Sequence, residues 1–375
     1  MFCKHPHTGV TIGPDGSVNV CCINMMWEGK IANLKDIDNL TTLYNESELL
    51  NLMRQGDTET INTVCHNCIN RERQGFTSRR QRYNENNYAC DDKIRYLEIT
   101  TSNICNQTCS TCRSLFSSKW KELDDEANKL FSFRSPGRDT FRMPQSDIQK
   151  VIDVLDDLEC LCIKGGEPFA DKDNFEILKR LSEVNPECNI IITSNLAKIP
   201  NIFMPVLKKF NNIEISASID GVGDVYEWIR SSPFEQTVNT MEKLYAETGI
   251  TVSIAVTMSL YNAYRLWDIV EYFVDCEYAN SINFVKFIDG PYYNIADIIP
   301  VSERVNIVNA FKNKIDSLSD IQKSKVIADA IYNFPNANNS DKVNLEHTKQ
   351  WIDYMNGVRN MNLYECIPEL KKVLL

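Results

Sequence analysis

Six short β-rich runs recur along the middle of the chain, separated by helical patterns. The runs are IRYLEIT (94–100), CLCI (160–163), NIIIT (189–193), IEISASI (213–219), TVSIAVTM (251–258) and SINFVKFI (281–288). Between them, DNFEILKRLSEV, PFEQTVNTMEKLYAE and YRLWDIVEYFV place apolar residues at helical spacing. Strands that alternate with helices imply right-handed βα crossovers, which build a parallel sheet. Six units are too few for a closed eight-stranded barrel, so the expected fold class is α/β, as a partial barrel or an open sheet. The first 90 residues are instead rich in turns, and residues 296–375 read as added helices, SERVNIVNAFKNKI being the clearest. Within the first part, TIGPDGSVNVCC predicts a hairpin. LTTLYNESELLNLMRQG predicts a helix with Asn45 or Ser47 as candidate cap and Gly56 as its stop. RERQGFTSRRQRYNE, with Arg71, Arg73, Arg79, Arg80 and Arg82, reads as a solvated connecting arm.

Charge narrows the classes of partner. Forty Lys and Arg against 51 Asp and Glu leave a net charge of -11. A field of that sign disfavours non-specific binding of nucleic acid or anionic membrane. No run approaches 18 apolar residues, so a membrane-spanning helix is not expected. The start, MFCKHPHTGV, lacks the apolar stretch of a secretory signal, and the expected compartment is the cytoplasm.

Fourteen cysteines are too many for an ordinary chain of this size. In a reducing compartment, clustered thiols point to metal or redox chemistry rather than disulfides. Cys3, Cys21, Cys22, Cys65 and Cys68 form one set, and Cys105, Cys109 and Cys112 a second. Cys90, Cys160, Cys162, Cys188, Cys276 and Cys366 are scattered and read as small buried hydrophobes. The second set has the spacing Cys-x3-Cys-x2-Cys and follows the first β run directly, at the strand end where α/β sheets hold ligands. Chance would give roughly 0.02 such triplets in a chain of this composition. Three thiolates can hold three irons of a four-iron cluster and leave the fourth open to a chelator; a structural zinc site with a fourth ligand elsewhere is the alternative. The next β run ends in KGGEP, which puts Gly165, Gly166, Glu167 and Pro168 in the following loop. There the glycines permit close backbone approach and Glu167 can accept bonds from a cationic amino group.

These residues resemble the radical SAM superfamily, over nearly the whole chain. CNQTCSTC looks like its cluster loop, with Cys105, Cys109 and Cys112 as iron ligands, and KGGEP like its methionine-amine motif. The resemblance implies a partial (β/α)6 TIM-like barrel over 91–295. It sets Thr193, Ser194 and Asn195 on the pocket lining. It also places Ser218 and Asp220 near the ribose or carboxylate of S-adenosylmethionine, and Arg230 on the methionine carboxylate.

The first 90 residues are similar to a SPASM/twitch module. Cys3, Gly16 and Cys21 follow the Cys-x(9–15)-Gly-x4-Cys half of its signature, and Cys65 and Cys68 supply a later Cys-x2-Cys. This implies an auxiliary [4Fe-4S] cluster on Cys3, Cys21, Cys65 and Cys68, with Cys22 a neighbour; His5, His7 and His66 are alternative ligands. The module stands before the barrel, whereas in relatives it usually follows. A zinc knuckle on the same four cysteines is the alternative.

The implied activity is reductive cleavage of S-adenosylmethionine at a [4Fe-4S] cluster. The 5′-deoxyadenosyl radical that results takes hydrogen from a substrate, for which a peptide or protein is favoured, and an external donor such as flavodoxin or ferredoxin supplies the electron. Two other readings are a zinc-binding scaffold and a radical SAM enzyme acting on nucleotides or tRNA. Asp289, directly after the sixth run in KFIDGPYYN, is a candidate catalytic base; the alternative is a turn residue, since Asp-Gly-Pro is a turn signal.

Overall fold

The computed structural model describes residues 2–24, 28–73, 77–287, 296–336 and 344–375. The chain forms two compact units. The first comprises Met1–Cys105, Arg138–Ile192 and Pro200–Glu214; the second comprises Asn106–Gly137, Thr193–Ile199 and Ile215–Leu375.

In the first unit the strands are β1 (Gly9–Ile12), β2 (Ser17–Asn19), β3 (Lys30–Asn33), β4 (Tyr96–Ile99), β5 (Cys160–Ile163) and the body of β6 (Asn189–Ser194). They lie in the order β6-β5-β4-β1-β2-β3. β4, β5 and β6 run parallel. Every residue of β4 and β5 is buried, as expected of parallel strands covered on both faces. The hairpin read from PDG is present as antiparallel β1 and β2, with Gly16 at φ 75° and the Asp15 carboxylate accepting from the Ser17 amide at 3.1 Å. β1 also pairs parallel with β4, Gly9 opposite Tyr96, so the N-terminal hairpin continues the β4–β6 sheet. Glycine at position 9 permits this: a Cβ there would stand 1.9 Å from the Tyr96 carbonyl oxygen.

Two local readings change. The stretch 40–56 is two helices, Leu40–Glu46 and Glu48–Gln55, broken at Ser47. The Ser47 hydroxyl accepts from the Leu50 amide at 3.3 Å; a serine that caps a new helix ends the previous one. The arginine-rich stretch is largely helical; Arg71, Arg73 and Arg82 are exposed as expected, whereas Arg79 and Arg80 are half-buried and paired. It includes helices His66–Arg73 and Arg79–Glu85, the second opened by a Ser78–Gln81 capping box. Arg80 is ion-paired with Glu72, and Arg79 reaches the buried Glu98 carboxylate on β4 at 3.5 Å. The buried Glu98 carboxylate draws the Arg79 guanidinium inward, because a buried charge persists only when paired.

The second unit carries β7 (Ile213–Ser218, from Ile215 onward), β8 (Val252–Met258), β9 (Ala279–Phe287) and a two-residue β10 (Val326–Ile327), in the order β10-β9-β8-β7 and parallel throughout. β10 is too short to leave a periodic signal. Helices Gly223–Arg230, Phe234–Thr248 and Leu266–Phe273 follow the strands, and Val301–Asp316 and Leu345–Arg359 form much of the C-terminal part. Trp351 of helix Leu345–Arg359 stacks on Trp120 at 5.9 Å, with the Arg134 guanidinium over both rings at 5.0 and 4.4 Å. All six expected β runs are strands, each of the first five followed by helix. The fold is α/β, a parallel arrangement of the partial (β/α)6 TIM-like class. Among the described residues no helix is long and apolar enough to cross a membrane.

Of the scattered cysteines, Cys160, Cys162 and Cys188 are buried as expected. Cys276 and Cys366 are half-buried and Cys90 is exposed.

Candidate functional site

In the first unit, the chain leaves β4 through Thr100–Ile104 and arrives at Cys105. The KGGEP loop leaves β5 alongside it. The Gly166 amide donates to the Ser102 carbonyl at 3.3 Å, and the Glu167 amide to the Ile104 carbonyl at 2.7 Å. The two glycines make this closeness possible. A Cβ on Gly166 would lie 2.1 Å from the Ile104 carbonyl oxygen. On Gly165, at φ 118°, it would lie 2.3 Å from the Thr100 methyl. The close approach therefore joins two parts of the chain itself. The Glu167 side chain is buried and accepts from the Phe169 amide at 3.1 Å, while Pro168 opens the 3-10 turn Pro168–Ala170.

Asp171, three residues after Pro168, escaped the sequence reading. Its buried carboxylate accepts from Ser102 Oγ at 2.6 Å, Thr101 Oγ1 at 2.8 Å and Arg142 Nη2 at 3.1 Å, and caps helix Lys172–Val184 through the Asp173 amide. It fixes the segment that delivers Cys105. Burial alone would raise its carboxyl, but the four hydrogen bonds outweigh that and hold it below the ordinary 3.8. Asp171→Asn is expected to cost about 1.5–3 kcal/mol at neutral pH. A depressed folded pKa gives stability that is complete above the unfolded value and is lost as pH falls through the folded one. The gap between wild type and variant should therefore close in acid, as denaturant titrations at pH 7 and pH 3 would measure.

In the second unit, Cys109 and Cys112 share a tight turn, with the Cys112 amide donating to the Cys109 carbonyl at 2.9 Å. The turn is docked by its backbone: Ser110 N to Ile229 O at 2.7 Å, Thr108 N to Ser231 Oγ at 2.7 Å, and Trp120 Nε1 to Cys109 O at 3.0 Å. Arg359 of the C-terminal helix reaches Thr108 Oγ1 and the Trp228 carbonyl, both at 3.0 Å. Cys109 Sγ lies 3.8 Å from Arg230 Nη1 and 3.4 Å from Gln107 Oε1.

Arg230 Nη2 is ion-paired at 2.7 Å with Asp220, whose other oxygen accepts from the Thr257 amide at 2.8 Å. Burial pushes the Asp220 carboxyl up and Arg230 opposes the rise. A ligand carboxylate would thus compete with Asp220 for Arg230. The Arg230 Nε is buried and lacks a hydrogen-bond partner among the described residues, so one donor remains for a ligand. Asn195 Nδ2 donates to Asn106 Oδ1 at 2.7 Å, which ties the end of β6 to the residue after Cys105, and Ser194 Oγ accepts from the Leu196 amide at 3.0 Å. Ser218 ends β7, half-buried, two residues before Asp220. Asp289 lies outside the described residues.

The N-terminal thiols converge. Cys3, Cys21, Cys65 and Cys68 line one cavity with His5, Arg79, Arg80, Tyr83 and several apolar side chains. Cys22 stands aside, its sulfur 3.8 Å from the Tyr83 hydroxyl. Burial, with the neighbouring cysteines adding to it, pushes the Cys3 and Cys65 thiols up to about 12 and about 11. Thiolates become favourable in such a place only with a strong cation among them. Four thiols facing one cavity match the four-cysteine ligand set of a four-iron cluster.

The model of the radical SAM superfamily matches residues 99–273, and that of the SPASM iron-sulfur cluster-binding domain matches residues 3–69. Among solved structures, native anSMEcpe with bound AdoMet and Cp18Cys peptide matches at 15% identity and TM-score 0.43, over 60% of this chain and 61% of that one. Streptococcus suis SuiB bound to precursor peptide SuiA matches at 14% identity and TM-score 0.44, over 82% and 70%. TsrM, a radical S-adenosylmethionine methyltransferase from Kitasatospora setae, matches at 12% identity and TM-score 0.37, over 55% and 36%. This chain thus spans about 61% of the length of anSMEcpe. The cofactors of the two matched domains are [4Fe-4S] clusters and S-adenosylmethionine. The chain carries a radical SAM superfamily domain over residues 99–273, with a SPASM iron-sulfur cluster-binding domain ahead of it over residues 3–69.

Proposed function

We propose that the protein is an enzyme that abstracts hydrogen from a peptide or protein substrate at a site built on Cys105, Cys109 and Cys112. The observation that supports this most is the KGGEP loop, bonded along its backbone to the segment that delivers Cys105. When bound, the cluster and S-adenosylmethionine supply reductive cleavage to a 5′-deoxyadenosyl radical; that chemistry is the cofactors' own.

The chain's residues bind and orient. Cys105, Cys109 and Cys112 hold three irons. Gly165, Gly166, Glu167 and Pro168 present acceptors to the methionine amino group. Ser194, Asn195, Ser218 and Asp220 line the nucleoside side, and Arg230, held by Asp220, offers positive charge beside Cys109 and to the methionine carboxylate. Asp171, Trp120 and Arg359 keep the supporting segments in place. Residues 1–90 form the auxiliary-cluster module, 91–295 the barrel and 296–375 the helical extension, and a flavodoxin or ferredoxin supplies the electron.

The SPASM match supports a ribosomally made peptide as substrate, because relatives with such modules often modify peptides or proteins. Arg79 and Arg80 are paired with Glu98 and Glu72, which leaves Arg71, Arg73 and Arg82 as the exposed arginines of that stretch and weakens the argument for a nucleic-acid substrate. The test is anaerobic incubation of iron-loaded protein with S-adenosylmethionine, a reductant and deuterated candidate peptides. Deuterium is expected in 5′-deoxyadenosine. Iron-loaded protein that forms no 5′-deoxyadenosine would overturn the reading.

A further inference from the structure

His5 is only 1% exposed, and both its ring nitrogens are buried without a hydrogen-bond partner among the described residues. The ring is held firmly: it stacks on Tyr83 at 4.1 Å with planes 6° apart and meets the edge of Tyr96 at 5.2 Å. Its backbone does take part in hydrogen bonding, the Thr8 amide donating to the His5 carbonyl at 2.9 Å. A neutral imidazole always carries one N–H and one lone pair, and leaving such groups unpaired in an interior is costly. A buried group of this kind calls for an explanation. His5 lines the cavity shared by Cys3, Cys21, Cys65 and Cys68.

We propose that His5 donates its ring N–H to a sulfur of the auxiliary cluster held by those four cysteines, and thereby raises the cluster's reduction potential. The inference rests on the auxiliary-cluster reading of the cavity. The four thiols already supply four ligands, so the imidazole is left the role of donor. Cluster and thiolate sulfurs are acceptors, and hydrogen bonds to them are among the factors that set the potential. A donor favours the reduced state, which carries one more negative charge. The stack on Tyr83 aims the ring, so little order is lost when the bond forms. His5 is in this sense a positioning and tuning residue, not a ligand.

The test is an EPR redox titration of the reconstituted holoenzyme, with the auxiliary signal identified as the one that S-adenosylmethionine leaves unchanged. His5→Phe keeps the stack and removes the donor, and is expected to lower that signal's midpoint with iron content unchanged. His5→Gln retains an N–H and is expected to fall between Phe and wild type. In the wild type, proton ENDOR in H2O against D2O should show an exchangeable proton coupled to this signal, and His5→Phe should lack it.

An unchanged midpoint in fully iron-loaded His5→Phe would overturn the proposal. So would a strong nitrogen coupling in the wild type, the mark of direct ligation. If His5→Phe fails to load iron, the wild-type ENDOR decides alone: no exchangeable coupling, no donor. Absence of any S-adenosylmethionine-insensitive cluster signal in the wild type would instead remove the auxiliary-cluster reading itself.

Discussion

The triple variant Cys105→Ala, Cys109→Ala, Cys112→Ala is expected to form no 5′-deoxyadenosine and to hold about half of the iron, since one of two four-iron clusters loses all its protein ligands. This loss should occur in a folded protein. The bonds that dock the loop run through backbone atoms and neighbouring side chains: Ser110 N to Ile229 O, Thr108 N to Ser231 Oγ, Trp120 Nε1 to Cys109 O, and Arg359 to Thr108. Alanine keeps every one of them. Product analysis by liquid chromatography, with circular dichroism as the control for folding, separates lost chemistry from lost structure. A folded triple variant that still cleaves S-adenosylmethionine would place the reaction elsewhere.

The complementary variant, with Cys3, Cys21, Cys65 and Cys68 replaced by Ala, should also lose about half of the iron but keep uncoupled cleavage of S-adenosylmethionine. That step needs only the other cluster, whereas turnover of the true substrate should stop. The sheet should persist, because the β1–β4 ladder and the Gly16 turn do not use these thiols. Iron and sulfide assays on the variant give the answer. Unchanged iron would mean that the cavity holds zinc or no metal.

The residues legible in the sequence act through their near neighbours in the chain. The spacing of Cys105, Cys109 and Cys112 is one turn's worth of loop, and the structure draws Cys109 and Cys112 into one turn through a single amide bond. KGGEP and the six strands were legible for the same reason. A strand buried on both faces shows as a short apolar run, and a glycine pair as a place where backbone comes close. The hairpin at PDG also has its own turn chemistry.

Other features depended on partners distant in sequence. Arg79 reads as solvated because the stretch around it holds few acids; Glu98 meets it only when β4 comes alongside. Asp171 looks like an ordinary cap until Thr101, Ser102 and Arg142 close on it from about 70 and 29 residues away. The pairing of Arg230 with Asp220, and the burial of His5 beside four thiols, likewise have no periodic trace.

The sequence by itself thus determined the α/β class, the two cysteine sets and the loops that carry them, because spacing, turn residues and hydrophobic rhythm are local. Only the tertiary structure decided which charges are paired, how the N-terminal hairpin joins β4, and which side chains surround the thiols. Those outcomes depend on desolvation, and how far a group is removed from water is a property of everything packed around it, not of its neighbours along the chain.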